Sequence, residues 1–537
     1  VAPEVTTGSA VSGYKVYTRE VHELSAVSEM FESGGVSEEV LEHFLAPEDS
    51  DMVVDTLVYD GRGSTDTSTE LTGLSGGVEY TYVVGAVSAA GEGERSVPVA
   101  VSTSPAAPSG LASTGSQTGG IDLVWSAPAV STGAAVTGYL VYRNDGDGAA
   151  ELSTLACDGT GSVDTACSVS GLSGGQEYVF AVSALSAAGE GDRSSTVALS
   201  TSPAAVVGLS SSAQTTSSIS LTWDELVALG GSATTGYVVY RNDGAGGTDH
   251  SIVAYDGSGS TATSATVAGL EGGRSYSFVV AGVSAAGEGA VSETALEQST
   301  SPGAPSGLAS SEQTTSSITL GWSAPAELGG DTVSEYVLYR DDGAGESAAV
   351  STEAYRGADL SAEVSGLVGG RSYKFAVSAV SDSGEGDRSD VVTQSTAPGA
   401  GAAPESLAQT ASSIQLSWTA PSVSTGVAAS GYRVFDVSSD GDSGVLVYDG
   451  AGSVELETTL SGLESGTLYS YVVSALSDAG EGDVSGSVSV STAPGVVTDV
   501  ASTHQTSSSI ELEWVAPEVT TGSAVSGYKV YAREVHE

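Results

Sequence analysis

The chain has 537 residues, of which 40% are hydrophobic, and 67 acidic residues against 16 basic ones give it a net charge of −51. One hydrophobic core does not serve a chain of this length, so several domains are expected. The acidic residues are spread along the whole chain and would repel nucleic acid and anionic membranes, which excludes both as direct partners. No stretch approaches 18 consecutive apolar residues, so no direct membrane insertion is expected in this segment.

The first predicted element is a strand with the sequence GYKVY at residues 13–17. Alternating apolar and polar residues are typical of a strand with one buried face. The same pattern, or a close variant, recurs at residues 138–142, 236–240, 335–339, 431–435 and 527–531. The chain is therefore built from repeats.

The first repeat is longer than the others because of a segment at about residues 22–53. Its apolar residues follow a helical spacing, with Gly34 and Gly35 between two runs and Pro47 after the second, so we expect a helical hairpin. Two interpretations stay open: the hairpin packs on its own domain, or it is an interface for a neighbouring chain. The candidate assembly-interface residues are Met30, Phe31, Val40, Leu41, Phe44 and Leu45.

Two further patterns recur five times each along the chain. All five tryptophans lie in similar apolar strands, with spacings of 98, 99, 96 and 96 residues: Trp125, Trp223, Trp322, Trp418 and Trp514. A Gly-Leu turn followed by a tyrosine strand and a Gly-Glu-Gly bend, as in GLSGGQEYVFAVSALSAAGEG at residues 171–191, occurs five times. Short alternating strands with frequent turn signals predict an all-β fold of two-sheet sandwiches.

The tryptophan on the second strand, the tyrosine on the third, and the leucine followed six residues later by tyrosine resemble the fibronectin type III family. The asparagine that the family has in its last bend is Ser or Ala here. The resemblance implies tandem Ig-like sandwiches without catalytic residues, and it divides the chain into six segments, which we call domains 1 to 6. Their boundaries are 1–108, 109–205, 206–304, 305–400, 401–496 and 497–537.

Only domain 2 contains cysteines, Cys157 and Cys167. Other repeats have tyrosine at the first position and Thr or Ala at the second, so the two cysteines replace other residues together. Because facing positions on adjacent strands can meet the distance limits of a disulfide, we expect a bond between them. A disulfide indicates an oxidising compartment, hence an extracellular or cell-surface location.

Acidic glycine-rich turns follow the GYxVY strands and include Asp145, Asp147, Asp341 and Asp342. Their oxygens could bind Ca²⁺, but the spacing of an EF-hand loop is missing. Plain hairpin turns explain them as well. Apart from this calcium possibility no cofactor is expected, and no residue cluster indicates an enzyme.

Short proline-bearing joints connect the domains, as around Pro105, Pro302 and Pro398. Because proline favours extended backbone, such joints predict semi-rigid spacers and an extended rod.

Residues 1–23 recur as residues 515–537 with one change, Thr18 to Ala532. We expect that domain 1 lacks its first two strands, that domain 6 has only three, and that domain 6 supplies the missing strands in an assembly or in a longer protein. A structural subunit of an extracellular filament or surface appendage, whose partners are copies of itself and neighbouring repeats, is the favoured function. A stalk of an adhesin or surface receptor, or accessory domains of a secreted polysaccharide-degrading enzyme, are the alternatives.

Overall fold

The computed structural model describes residues 8–23, 51–130, 132–146, 148, 151–326, 328–345, 349–422, 425–439 and 444–534. The structure is all-β, and no helix occurs among these residues. The described part therefore also has no helix long and apolar enough to cross a membrane.

Domains 2 to 5 share one architecture, a three-stranded sheet packed on a larger one. In domain 2 the strands are β6 (Ser109–Gln117), β7 (Gly120–Ser126), β8 (Val136–Arg143), β9 (Thr154–Thr160), β10 (Ala166–Ser170), β11 (Glu177–Ser186), β12 (Gly189–Glu190) and β13 (Val197–Ser200). The small sheet has the order β10-β7-β6, and the large sheet has β12-β11-β8-β9, with β13 also paired to β11. All pairs are antiparallel. The last strand is thus split in two, β12 and β13, so the domain has eight strands.

Domains 3 to 5 repeat this order. Domain 3 has β14 (Ser210–Gln214), β15 (Ser218–Thr222), β16 (Thr234–Arg241), β17 (Ile252–Gly257), β18 (Ser264–Ala268), β19 (Ser275–Ser284), β20 (Gly287–Val291) and β21 (Leu296–Ser299). Domain 4 has β22 (Ser306–Gln313), β23 (Ser317–Ser323), β24 (Glu335–Arg340), β25 (Thr352–Gly357), β26 (Ser361–Ser365), β27 (Ser372–Ser381), β28 (Gly384–Glu385) and β29 (Val392–Ser395). Domain 5 has β30 (Glu405–Gln409), β31 (Ser413–Ser417), β32 (Gly431–Asp436), β33 (Val445–Gly450), β34 (Glu457–Ser461), β35 (Leu468–Ser477), β36 (Gly480–Glu481) and β37 (Val488–Ser491).

The core of each complete domain lies between its sheets. In domain 3, Ile219, Leu221 and Trp223 of the small sheet are buried against Tyr237 and Phe278 of the large one. Each tryptophan packs on the first tyrosine of the GYxVY strand, with ring centroids 5.4–5.9 Å apart in domains 2 to 5. Strand alternation places every second side chain in this layer, so the tryptophan and tyrosine patterns mark its two walls.

Domain 1 contains only the large sheet among its described residues: β1 (Val11–Glu23), β2 (Asp51–Asp60), β3 (Glu79–Ser88), β4 (Gly91–Arg95) and β5 (Val99–Ser102). Residues 61–78, which include the counterpart of β10, form no strand. That counterpart would pair with a strand equivalent to β7, and the described part of domain 1 has none.

The predicted range of the helical insertion, about 22–53, is wrong at both ends. Residues 22–23 continue β1 and residues 51–53 begin β2, because the antiparallel pairing continues through Val21 opposite Val53 to Glu23 opposite Asp51. Residues 24–50, with all six candidate interface residues, lie outside the described residues.

Domain 6 has two strands, β38 (Thr498–Gln505) and β39 (Ile510–Val515), which form a two-stranded sheet. The expected third strand at residues 527–531 is not formed. In the complete domains this strand pairs with the long tyrosine strand, as β8 does with β11, and the described part of domain 6 contains no such partner.

Candidate interdomain interface

Domains 1 to 5 each present a glycine turn to the next domain along the chain. The turn is held by the first tyrosine of the following strand. Its hydroxyl accepts a hydrogen bond from a backbone N–H five residues upstream, as Tyr178 does from Ser173 at 2.9 Å. The same bond occurs at Tyr80, Tyr276, Tyr373 and Tyr469. The tyrosine thus fixes the turn that carries the interface, in the manner of the tyrosine corner of β-sandwiches.

The last glycine of this turn accepts a hydrogen bond from a glycine of the next domain. Its φ is positive, +69° at Gly175, a region that glycine adopts without steric cost. The donor lies in the loop after the tryptophan strand. The N–H to O=C pairs are Gly133 to Gly77 (3.1 Å), Gly231 to Gly175 (3.2 Å), Gly330 to Gly273 (2.9 Å), Gly426 to Gly370 (3.1 Å) and Gly522 to Gly466 (2.9 Å). One backbone bond therefore joins the domains at all five joints.

The donor glycines have no room for a side chain. A Cβ on Gly231 would lie 2.6 Å from the carbonyl oxygen of Gly175 and one on Gly426 would lie 2.4 Å from that of Gly370. Such distances are far inside van der Waals contact, and the obstructing atoms are backbone. The glycine at this position is therefore required by the neighbouring domain and not by its own fold.

A second contact links the joint to the Gly-Glu-Gly bend of the following domain. A Cβ on the second glycine of the bend would lie only 2.0–2.2 Å from the carbonyl oxygen of the joint proline, for Gly191 on Pro105, Gly289 on Pro203, Gly386 on Pro302 and Gly482 on Pro398. Gly93, the same position in domain 1, meets nothing closer than the Ala86 oxygen at 3.6 Å. The second glycine of the bend thus lacks room for a side chain in domains 2 to 5, where a joint precedes the domain among the described residues. In domain 1 it has such room.

Hydroxyl groups of the joints add hydrogen bonds across the interface. Ser104, Ser202 and Ser301 each donate to a carbonyl of the bend in the next domain, at 3.2, 3.1 and 2.8 Å. Thr118 of domain 2 donates to the Pro203 carbonyl at 2.9 Å and accepts from the Ala290 N–H of domain 3 at 2.7 Å. These bonds stiffen the joints beyond what the prolines alone provide.

The structure gives the acidic turn residues hydrogen-bond partners within their own domains. Asp341 is 2% exposed, and its Oδ1 accepts hydrogen bonds from the N–H groups of Gly343 (3.1 Å) and Lys374 (3.0 Å). Asn242 makes the corresponding bonds in domain 3.

The other acidic turn residues also have hydrogen-bond partners. Asp342 accepts from Ala344 N–H, and Asp145 accepts from the Thr154 hydroxyl. Asp147 lies outside the described residues. Among those described, no three His, Cys, Asp or Glu side chains form a group able to hold a metal ion.

Cys157 and Cys167 are joined by a disulfide in the structure, with their Cα atoms 6.7 Å apart. They lie on β9 and β10, the neighbouring edges of the two sheets of domain 2, so the bond connects the sheets. In domain 5 the first position is Tyr448, which packs on Trp418 with ring centroids 6.2 Å apart. Domain 2 thus replaces an aromatic contact by a covalent one.

Domain 1 carries an ion-pair cluster that the sequence did not indicate. The Asp55 side chain is 9% exposed and accepts from both Arg19 (2.7 Å) and Arg95 (2.5 Å). Bonding to Arg19 and then Arg95 outweighs burial and lowers the Asp55 pKa from its ordinary 3.8 to about 2. The cluster fastens β1 to β2 and β4.

The inner face of the domain 1 sheet is uncovered among the described residues. Tyr14, Val16, Tyr59, Val84 and Ala86 line an open cavity of about 660 Å³. Val84 is 38% exposed, whereas its counterpart Val182 in domain 2 is fully buried.

The sequence alone does not identify the glycines of the interdomain interface. Their signal is a glycine repeated after each tryptophan strand, but nothing in a single repeat distinguishes it from an ordinary loop glycine.

Comparison with known proteins supports the repeat. The fibronectin type III domain model matches residues 106–200, 203–298, 303–395 and 402–491, well over half of the chain. Chitinase A1 of Niallia circulans is 36% identical over 154 residues, covering 27% of this chain and 20% of that protein. Exoglucanase B of Cellulomonas fimi is 29% identical over 242 residues (42% and 19%), and the receptor-type tyrosine-protein phosphatase H of Homo sapiens is 32% identical over 205 residues (38% and 17%). The chain spans about a fifth of the length of each relative. With its motifs, its topology and this match in agreement, the chain belongs to the fibronectin type III family as a tandem array.

Proposed function

We propose that this chain is a structural element, a stiff rod of end-to-end sandwiches within an extracellular filament or cell-surface appendage. The observation that carries the proposal is the glycine-to-glycine hydrogen bond that recurs at all five joints. Equivalent contacts at equal intervals are what a periodic, extended assembly needs. With strands of about eight residues at roughly 3.3 Å each, a five-domain rod would be on the order of 150 Å long.

No catalytic role is part of this proposal. A location outside the cell is supported by the disulfide of domain 2, since such bonds persist in oxidising compartments. An acidic surface adds to it, because its self-repulsion is screened in a salty medium.

The experiment compares particle shapes of the 537-residue chain in solution, by small-angle X-ray scattering and negative-stain electron microscopy. We expect a straight rod, and a set of variably bent chains would contradict the proposal. Gly191→Ala pushes a methyl group into the Pro105 carbonyl and should bend or loosen the joint between domains 1 and 2. Gly93→Ala is the matched control and should leave the shape unchanged.

A second candidate function follows from two relatives. Because the chain resembles parts of a chitinase and an exoglucanase, it could serve as spacer domains of a secreted polysaccharide-degrading enzyme. Micrographs would separate the two: end-to-end filaments of the purified chain favour the first function, and single separate rods at every concentration favour the second.

A further inference from the structure

The strand β33 forms one edge of the large sheet of domain 5. It pairs with β32 on one side, and no strand among the described residues pairs with its other side. An edge strand presents backbone N–H and C=O groups that can pair with a further strand, and proteins protect such edges with bulges and charged side chains. Domain 4 has charged protection: its edge strand β25 carries Glu353 and Arg356, which form an ion pair at 3.1 Å.

Domain 5 has the bulge and lacks the charged side chains at the start of this edge. Val447 has no partner in the pairing of β33 with β32, a bulge that the edges of domains 2 to 4 share. Val445, Leu446 and Val447 are 62%, 44% and 39% exposed. Domains 2 to 4 have alanine in place of Val447, and domain 4 has Glu353 in place of Leu446. Among the described residues of domains 2 to 5, only domain 5 has three exposed apolar residues in a row at this edge.

Two further apolar residues extend this surface. Val454 and Leu456 lie on the connection from β33 to β34 and are 67% and 40% exposed. The carbonyl of Leu456 accepts a hydrogen bond from the Trp418 N–H at 2.9 Å, which fixes the connection beside the small sheet. We call the five side chains the edge patch: Val445, Leu446, Val447, Val454 and Leu456. Exposed apolar patches of this kind are typical of protein-binding surfaces.

The charges around the edge patch indicate which kind of partner fits it. Domain 5 has eleven acidic residues and one basic residue, Arg433. The Arg433 guanidinium is already paired, with Asp449 at 3.2 Å and with Glu481 at 2.7 Å. Glu455 and Glu457 flank the patch and are exposed. A second copy of this chain would bring the same acidic residues to the contact and be repelled, whereas a basic partner is attracted.

We propose that β33 binds an extended segment of a partner protein in which apolar and basic residues alternate. The segment adds one strand to the large sheet beside β33, a mode of binding that combines backbone hydrogen bonds with contacts of alternate side chains. Its apolar side chains cover the edge patch, and its basic side chains contact the acidic residues around the patch. The inference goes beyond the proposed rod, because it gives the rod an attachment site on one particular domain.

The experiment measures binding of a fluorescein-labelled peptide of alternating valine and lysine to the full 537-residue chain, by fluorescence anisotropy. Measurements at low salt are repeated in 1 M NaCl, where screening acts within about 3 Å and non-specific attraction of lysine to the acidic chain is suppressed. We expect saturable binding that persists in 1 M NaCl. A peptide of alternating valine and glutamate should bind more weakly at low salt. Equal binding of the two peptides at low salt, or loss of all binding in 1 M NaCl, would overturn the proposal.

A substitution at the edge tests where the peptide binds. Leu446→Lys places a positive charge in the edge patch, at a position where domain 4 already has the charged Glu353. We expect it to weaken binding of the valine-lysine peptide by about tenfold, because an apolar contact is lost and like charges meet. Val253→Lys is the matched control, since Val253 has the same position in domain 3, is 55% exposed and gives the same change in net charge. Equal weakening by both substitutions would contradict a site at β33.

Hydrogen exchange locates the added strand without any substitution. The β33 amides should exchange more slowly when the valine-lysine peptide is bound, and the β25 amides of domain 4 should not change. β33 amides that exchange equally fast with and without the peptide would overturn the proposal. So would self-association of the chain in light scattering that Leu446→Lys abolishes, because the occupant of the edge would then be a second copy. Failure of the peptide to bind leaves the proposed rod intact, since no residue of a joint takes part.

Discussion

Asp55 is the residue on which the ion-pair cluster of domain 1 depends. Its folded pKa of about 2 lies below the ordinary 3.8, so its contribution to stability is fully present above about pH 4 and is lost as the pH falls through 2. We expect Asp55→Asn to lower the stability of the β1–β2 hairpin at pH 7 by about 1–2 kcal/mol, because Arg19 and Arg95 lose their shared partner. Hydrogen exchange of the β1 and β2 amides between pH 2 and 7 measures this.

The difference between the Asp55→Asn variant and the unmodified chain should shrink toward zero near pH 2. Glu79→Gln, at an exposed position of the same sheet, is the control and should have little effect at any pH. A difference that persists unchanged at pH 2 would mean that Asp55 acts through packing and not through its charge.

The cysteine pair offers a second prediction at this scale. Closing a short loop in the unfolded chain makes a disulfide worth about 2–3 kcal/mol. Cys157→Ser with Cys167→Ser should cost domain 2 that amount, whereas Cys157→Tyr with Cys167→Ala, the residues of domain 3, should recover part of it through contact with Trp125. Hydrogen exchange of the β7 and β10 amides reports on domain 2 alone. Equal losses of stability in both variants would show that a tyrosine in place of Cys157 does not compensate for the disulfide. Peptide mapping that finds two free thiols would show that the disulfide is absent.

Among the elements, the turn between β6 and β7 bridges three parts of the chain through Thr118. Thr118→Val removes the hydrogen bonds to the Pro203 carbonyl and from the Ala290 N–H, each worth about 1 kcal/mol. We expect faster exchange of the Ala290 amide and a looser joint between domains 2 and 3. Thr114→Val, at an exposed position on β6, is the control. An Ala290 amide that exchanges equally slowly in both variants would show that the joint does not depend on this side chain.

Strands and core walls could be read from the sequence because alternation and the repeated Trp and Tyr positions reflect packing inside one domain. The interface glycines could not, since each contacts a backbone in the neighbouring domain and has no side chain to signal it. The clearest limit is the repeated segment itself: residues 13–17 form a strand and residues 527–531 do not, although their sequences are identical. Pairing partners, and not local propensity, decide between the two.

For the whole molecule, the net charge of −51 opposes any contact between copies. The acidic residues are spread along the chain, so repulsion between neighbouring domains also favours an extended arrangement at low ionic strength.

We expect the radius of gyration of the 537-residue chain, measured by small-angle X-ray scattering, to change little between low salt and 1 M NaCl, where screening acts within about 3 Å. The reason is that backbone hydrogen bonds at the joints, and not charge repulsion, hold neighbouring domains in line. A marked decrease of the radius of gyration in 1 M NaCl would mean that repulsion between the domains keeps the chain extended.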